Sequence, residues 1–426
     1  MIGFIRQGLR EDPAGGRLRA AEKDLREALR RFGQAKLEDL INEVGASPQE
    51  ASGQPGETRM RGQARTVRTI FGPLRILRTG YHHRESGRMR YPLDEAMGLV
   101  DSYTPLLAEL MCRAAARGSF ASASGDLRAY AGLDMDERRF HRLVAKIGPD
   151  FRAAKAALPP VPPEPVPRMY ISADGTGIPF HRAELAGRAG RQPDGTARTH
   201  EVKIGCVFTQ HPRPGEDEPL RDCDSTTYLA TTERVGAFAP QLLAEARRRG
   251  LARAQEVVFI SDGAAYLKEI VRTHFPTATW VLDFYHAAEH LGLLAGALDG
   301  TGSDAAARRA KRWREEVLAG GLPGVLLEAR ASPSSDTAQR DAQLAYLENN
   351  KEGMRYAEFQ ARGLFIGSGV VEAGCKTVVG QRLKQSGMFW REAGAQAVLA
   401  LRSALHSNQF EAVWAGDLIG RIRAAA

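Results

Sequence analysis

The sequence contains no apolar run near the roughly 18 residues that a membrane-spanning helix requires, so no membrane association is expected. Its opening stretch, MIGFIRQGLREDPAGG, lacks an apolar h-region, which points away from secretion. Cysteine is scarce: Cys112, Cys206, Cys223 and Cys375 are scattered, with no CxxC pair. That pattern offers no zinc knuckle and suits a reducing compartment, so a cytoplasmic protein is expected. Acidic residues are in deficit, 51 against 59 Lys and Arg, leaving a net charge of +8 and a pI of about 9.4. Such a balance favours a polyanionic partner. With 426 residues, 43% hydrophobic and 26% charged, the chain can bury sizeable cores and should form two or three domains.

Residues 17–45 read as a charged amphipathic helix with Leu18, Leu25, Leu29, Phe32, Leu37, Leu40 and Ile41 on its apolar side. With the Gly-, Ser- and Pro-rich loop that follows, this makes a segment 1–56. Next, ARTVRTIFGPLRILRTGYHH alternates on both sides of Gly72-Pro73, the pattern of a β-hairpin. Segment 57–100 carries nine arginines between Arg59 and Pro92 and a single acid there, Glu85. Arg65, Arg68, Arg75 and Arg78 are expected to contact phosphates from this arm without reading sequence. Segment 101–158 looks all-helical, with a turn at Gly132 and a second helix capped by Asp134 or Asp136. Arg138, Arg139 and Arg142 ride on that helix, a candidate helix-turn-helix for DNA. Six prolines between Pro159 and Pro167 then form a semi-rigid spacer and domain boundary.

Beyond the spacer the pattern changes to strands. RMYISADGTGIPF, THEVKIGCVFT and STTYLATT read as three in succession, the first two joined by a polar, basic connection from Arg182 to Arg198. A helix, ERVGAFAPQLLAEARRRG, precedes a continuous apolar strand, AQEVVFISDGAAY, of the kind a buried sheet uses. Another helix and the strand TATWVLDFYH follow, and residues 287–360 are almost entirely helical. The stretch FIGSGVVEAGCKTVVGQRLKQSGMFW comes last, with Ser368 as the expected N-cap of a helix. Asp174, Asp262 and Glu372 each sit among small residues, in SADGTG, ISDGAA and GSGVVEAG. Three carboxylates from separate elements, each open to close approach, are the donor set for two hard divalent cations, Mg²⁺ or Mn²⁺. Such a pair can serve phosphodiester cleavage. Lys376, Arg382, Lys384 and Arg391 follow Glu372 and are expected to neutralise phosphates.

SADGTG, SDGAA, LDFYH and GSGVVEAGCK…GQRLKQSGMFW resemble the DDE transposases of bacterial insertion sequences, ISKra-type family, over roughly residues 60–415. The resemblance implies an α/β fold: an RNase H-like catalytic core (168–290 plus 361–415) with a helical insertion (291–360), preceded by the hairpin and the helical DNA-binding region. It implies Asp174, Asp262 and Glu372 as catalytic and metal-binding residues. Asp283 and His286 match the C/D-x-x-H signature of mutator and hAT-like relatives, with His286 expected at the scissile phosphate region. It also implies terminal inverted repeats and target DNA as partners, engaged by a homodimer or larger assembly. Where relatives carry a cysteine pair after the hairpin, His82, His83, Arg84 and Glu85 stand, so no zinc is expected there.

Two other readings compete. His286-Ala287-Ala288-Glu289-His290 matches the H-x-x-E-H pattern of zinc metalloproteases, two histidines four apart with Glu289 as general base. Alternatively the chain is a domesticated DNA-binding protein on a transposase scaffold; such a protein would be expected to have lost a carboxylate, and all three are present. LFIGSGVVEAG imitates a dinucleotide fingerprint, but Glu372 occupies the place of the third glycine.

Overall fold

In a computed structural model the described residues are 16–45, 53–160, 166–185, 199–211, 220–222 and 224–424. The middle of the proline spacer and most of the Arg182–Arg198 connection lie outside them. The chain divides into two compact units, Met1–Asp150 with Trp414–Ala426, and Phe151–Val413. The division falls inside one helix, Glu137–Ala156.

The first unit begins with the long helix α1 (Gly16–Gly45) and a three-stranded antiparallel sheet: β1 (Glu57–Thr69), β2 (Gly72–His83) and the short β3 (Met89–Arg90). Val67 pairs with Leu74 and Arg65 with Ile76. The period of two therefore turns Val67, Leu74 and Ile76 inward, where they are buried with Leu99. The expected apolar side of α1 is only partly used. Leu37 and Ile41 pack on this cluster, whereas Leu18, Leu25, Leu29, Phe32 and Leu40 stay exposed. The helix docks instead through a polar stripe at four-residue spacing. Arg30 and Gln34 donate to the carbonyls of Phe71 and Pro73, Glu38 accepts from Arg75 N–H at 2.9 Å, and Asn42 accepts from Leu77 N–H at 2.7 Å. These side chains satisfy the free edge of β2, which would otherwise invite another strand. Four helices follow: α2 (Pro92–Ala96), α3 (Pro105–Arg117), α4 (Phe120–Asp126) and α5 (Glu137–Ala156). The turn before α5 has Gly132 at φ 69°, and Asp136 caps α5 by accepting from Arg139 N–H at 3.1 Å.

The second unit is mixed α/β. Its five strands are β4 (Val166–Pro179), β5 (Thr199–Gln210), β6 (Thr227–Thr231), β7 (Ala254–Ser261) and β8 (Thr279–Leu282), in spatial order β6-β5-β4-β7-β8. The first three form an antiparallel meander, and β7 and β8 then add in parallel next to β4. Parallel addition needs crossovers, and α6 (Val235–Arg248) and α7 (Ala265–His274) provide them. Both lie on one face of the sheet, where Met169, Ile171, Ala173, Val207 and Phe259 pack against Phe238, Leu242, Leu267 and Ile270. A helical block follows: α8 (Phe284–Asp299), α9 (Asp304–Leu318), α10 (Leu322–Ala331), α11 (Thr337–Asn350) and α12 (Tyr356–Ala361). Its anchor is Trp313, fully buried, with the indole N–H donating to Glu328 at 3.0 Å. The chain then returns to the sheet as α13 (Gly369–Gly374), a π-helical turn (Cys375–Gly380), α14 (Gln381–Leu383), α15 (Glu392–Leu405) and α16 (Phe410–Ala415); α17 (Leu418–Ala424) belongs to the first unit. Among the described residues no helix is long and apolar enough to cross a membrane.

Candidate active site

Strand alternation fixes where the three acids point. In β4, Met169, Ile171 and Ala173 face the α6/α7 side, so Tyr170, Ser172 and Asp174 face the other. In β7, Val257 and Phe259 face α6/α7, and Val258, Ile260 and then Asp262 face the other side as well. The two strands run parallel with Ser172 opposite Ile260. Continuing that register two residues sets Asp174, inside β4, level with Asp262, the residue that follows β7. Among the described residues neither carboxylate belongs to an ion pair.

The α13 segment covers this same face. Phe365 meets Tyr170 edge-on with ring centroids 5.0 Å apart, Tyr170 stacks on Phe208 at 4.9 Å, and Phe365 N–H donates to the Tyr170 hydroxyl at 3.3 Å. Gly374 lets the helix settle on the sheet, since a Cβ there would stand 2.6 Å from Tyr228 and 3.1 Å from Ile204. The π-helical turn follows at once. Such widened turns are frequent at functional sites, and this one presents Cys375, whose thiol donates to Asp174 Oδ2 at 3.2 Å.

Asp174 Oδ1 accepts from Gly175 N–H at 2.6 Å. Burial pushes the Asp174 carboxyl above the usual carboxylate range, opposed by the Cys375 thiol and the Gly175 N–H and reinforced by the Asp262 charge. Burial, then the Asp174 charge, likewise raises the Cys375 thiol, which keeps its proton and acts as a donor. Tyr266, one turn past Asp262, has its phenol raised by burial and by Glu201, Asp262 and Asp174. Asp262 Oδ1 accepts from Ala264 N–H at 2.9 Å, and Tyr346 of the helical block donates to the Asp262 carbonyl at 2.7 Å. Gly263, between them, has φ 82°.

Glu372, on α13, is engaged within its own helix. Ser368 does not cap α13 with its side chain as the sequence suggested. Its hydroxyl donates to Glu372 Oε1 at 2.7 Å. Hydrogen bonds thus occupy both oxygens of Asp174 and one oxygen of Glu372, and among the described residues no three His, Cys, Asp or Glu side chains group so as to hold a metal ion. As they stand, Asp174, Asp262 and Glu372 do not jointly fit one.

Asp283 is fully buried. Its Oδ1 caps α8 by accepting from His286 N–H at 2.8 Å, and its Oδ2 accepts from Ser368 N–H. It therefore ties the start of α8 to the loop that carries Glu372. His286 is partly exposed, with Nδ1 3.6 Å from Glu289. His290 turns away from it: its ring stacks on Tyr346 at 3.4 Å and Nδ1 lies 2.5 Å from Gln343 Oε1. The two histidines do not converge, which removes the zinc-protease reading.

The basic residues divide. Lys384 donates to Thr176 at 2.6 Å, on the strand that carries Asp174, and Lys376 and Arg391 are exposed. Arg382 needs correction: it is fully buried beneath the Trp390 ring at 5.1 Å, and burial, with Arg402 nearby, lowers it to about 10. In the first unit the Arg65 and Arg78 guanidinium groups both pair with Asp94. Arg68 is half-buried and Arg75 exposed. Arg138 and Arg142 are exposed, and Arg139 pairs with Asp136 at 3.1 Å. Sequence reasoning missed Cys375, Tyr266 and Tyr346. The first two carried a signal, helical spacings of three from Glu372 and four from Asp262; Tyr346, distant in sequence, carried none.

No protein-family model matches the chain, and no curated protein matches it. Among solved structures, the Drosophila P element transposase strand transfer complex is similar over 76% of this chain and 85% of that chain, at 7% sequence identity and a TM-score of 0.28, a likeness too slight to carry an argument.

Proposed function

We propose that this chain is a DNA transposase built on an RNase H-like core, cleaving phosphodiesters at element ends and joining the freed ends to target DNA. One observation carries the reading. Asp174 and Asp262, two acids outside any ion pair among the described residues, lie on the same side of adjacent parallel strands, close enough for the Asp262 charge to act on Asp174, beneath the segment that carries Glu372 and Cys375. Like charges this close cost stability, and folds place them where chemistry uses them. The meander followed by two parallel strands is the order the motif resemblance implies. In the proposed reaction water attacks an end phosphodiester and a 3′-hydroxyl leaves. That hydroxyl then attacks a target phosphodiester and displaces a second 3′-hydroxyl. Mg²⁺ or Mn²⁺ is the proposed cofactor, since carboxylate oxygens are its natural donors. Lys376, Lys384 and Arg391 are the proposed phosphate contacts beside the site. Arg75, Arg138 and Arg142 are those further along the DNA, on a dimer or larger assembly in the nucleoid.

The test is cleavage of the DNA flanking the chain's own gene, with Mg²⁺, Mn²⁺ or chelator, by the full chain and by Glu372→Gln. Nicks at defined ends that need both metal and Glu372 are expected. Specific binding without cleavage in any metal would replace this reading with the non-catalytic DNA-binding protein.

A further inference from the structure

We propose that the exposed apolar row of α1 is the contact through which two copies of this chain pair, their helices running antiparallel about Leu29. The inference stands on α1 alone and is independent of the proposed chemistry.

Three observations carry it. First, the fold uses one side of α1 only. Arg30, Gln34, Glu38 and Asn42 lie on the edge of β2, and Leu37 and Ile41 pack on the Val67 cluster. At about 3.6 residues per turn these point away from a second row, Leu18, Leu25, Leu29, Phe32 and Leu40. Each of the five is between 43% and 62% exposed. The row runs for about 33 Å along the helix, and monomers seldom expose apolar surface so continuously.

Second, the row is symmetric about its centre. Leu18 and Leu40 lie eleven residues to either side of Leu29, Glu22 and Lys36 seven to either side, and Leu25 and Phe32 four and three. A two-fold axis through Leu29 therefore sets Leu18 of one copy against Leu40 of the other, Glu22 against Lys36, Leu25 against Phe32, and Leu29 against itself. Each unlike contact is made twice, as an isologous interface requires. Third, the charges choose the direction. Glu22 and Lys36 are exposed and lie within the row. Parallel pairing would set acid on acid and base on base, whereas antiparallel pairing makes two ion pairs. Lys36 has Asp39 on its own helix at 3.9 Å, but that pair is exposed and holds it weakly.

The test is sedimentation equilibrium of the full chain without DNA. A dimer is expected. Leu29→Glu sets two carboxylates together at the two-fold axis and should weaken dimerisation by at least about a hundredfold. Its circular dichroism spectrum should be unchanged, because Leu29 is 60% exposed in the single chain. Lys36→Glu should weaken the dimer several-fold, and adding Glu22→Lys should restore it, since the exchange rebuilds both ion pairs. A dimer that Leu29→Glu leaves intact has its interface elsewhere and overturns the proposal. So does an unaltered chain that stays monomeric at its highest soluble concentration. A monomer in which Leu29→Glu opens residues 1–15 to protease would assign the row to that segment and overturn it too. If Leu29→Glu breaks the dimer but the charge exchange restores nothing, the antiparallel register is wrong.

Discussion

Two groups of acids, one in each unit, are treated in opposite ways. In the first, Asp94 lies between the guanidinium groups of Arg65 and Arg78, and Glu57 meets Arg90 at 2.7 Å. In the second, Asp174 and Asp262 lie on the same side of the sheet, and the donors to Asp174 are a thiol and a backbone N–H. Among the described residues neither is locked into an ion pair, although the chain is basic. We read the first arrangement as architecture and the second as chemistry: a structural acid is neutralised where it stands, while a working acid is left open to a charge from outside.

The sharpest way to break this contrast is to neutralise each kind of acid in turn. Asp262→Asn should lower strand cleavage by at least about a hundredfold while leaving DNA affinity within a few-fold, read in single-turnover cleavage beside a binding titration. Retained cleavage would move Asp262 to the architectural class. Asp94→Asn should do the reverse. It strands two partly buried guanidinium groups, and the first unit should lose about 3 kcal/mol in denaturant unfolding. Cleavage per folded molecule should be unchanged.

Asp174→Asn tests the contrast from the stability side. Burial and the Asp262 charge raise the folded-state pKa of Asp174 above its unfolded value. Between those two values the folded chain binds the extra proton, so stability falls as pH rises through the window. Above it, at neutral pH, the ionised carboxylate is a net cost; below the unfolded value of about 4 the cost vanishes. The variant should therefore be more stable than the unaltered chain at pH 7, with the gain shrinking in acid. Thermal melts across pH read this directly, and a destabilised variant at pH 7 would show that Asp174 is a structural acid after all.

How much of this was legible in the residues depends on range. The hairpin, the strand at Asp174 and the strand ending at Ser261 follow from period-two patterning and could be read locally, although the hairpin turns at Ile70-Phe71 and not at Gly72-Pro73, which opens β2. That Asp174 and Asp262 share a face also follows, once the strands are known to run parallel. The fate of polar side chains could not be read. Arg382 sits in a basic, polar run, yet Trp390 and the surrounding helices bury it. Ser368 looked like a cap because caps are local, but its hydroxyl found a carboxylate four residues on. Five of the seven residues in the apolar stripe of α1 misled for the same reason: periodicity says which residues share a face, not whether a partner covers it. On α1 the partner met the polar stripe, because an exposed strand edge needs hydrogen bonds more than the helix needs burial.

The smallest effect separates the arginines of the arm. Composition treats Arg65 and Arg75 alike; the structure does not. Arg75 extends from the outward side of β2 and is exposed, whereas Arg65 is spent on Asp94 and on the Asp101 carbonyl. A guanidinium already paired inside the protein releases few counterions when DNA arrives, so it contributes little to the salt dependence of binding. Arg75→Ala should weaken binding to all DNA sequences alike and flatten the slope of log affinity against log salt by about 0.9. Arg65→Ala should leave that slope in place and instead lower the melting temperature, because it takes away one of the two cations that neutralise Asp94. Equal slopes for both variants would mean that DNA competes successfully for Arg65, and the division between architectural and working charges would then hold for the acids alone.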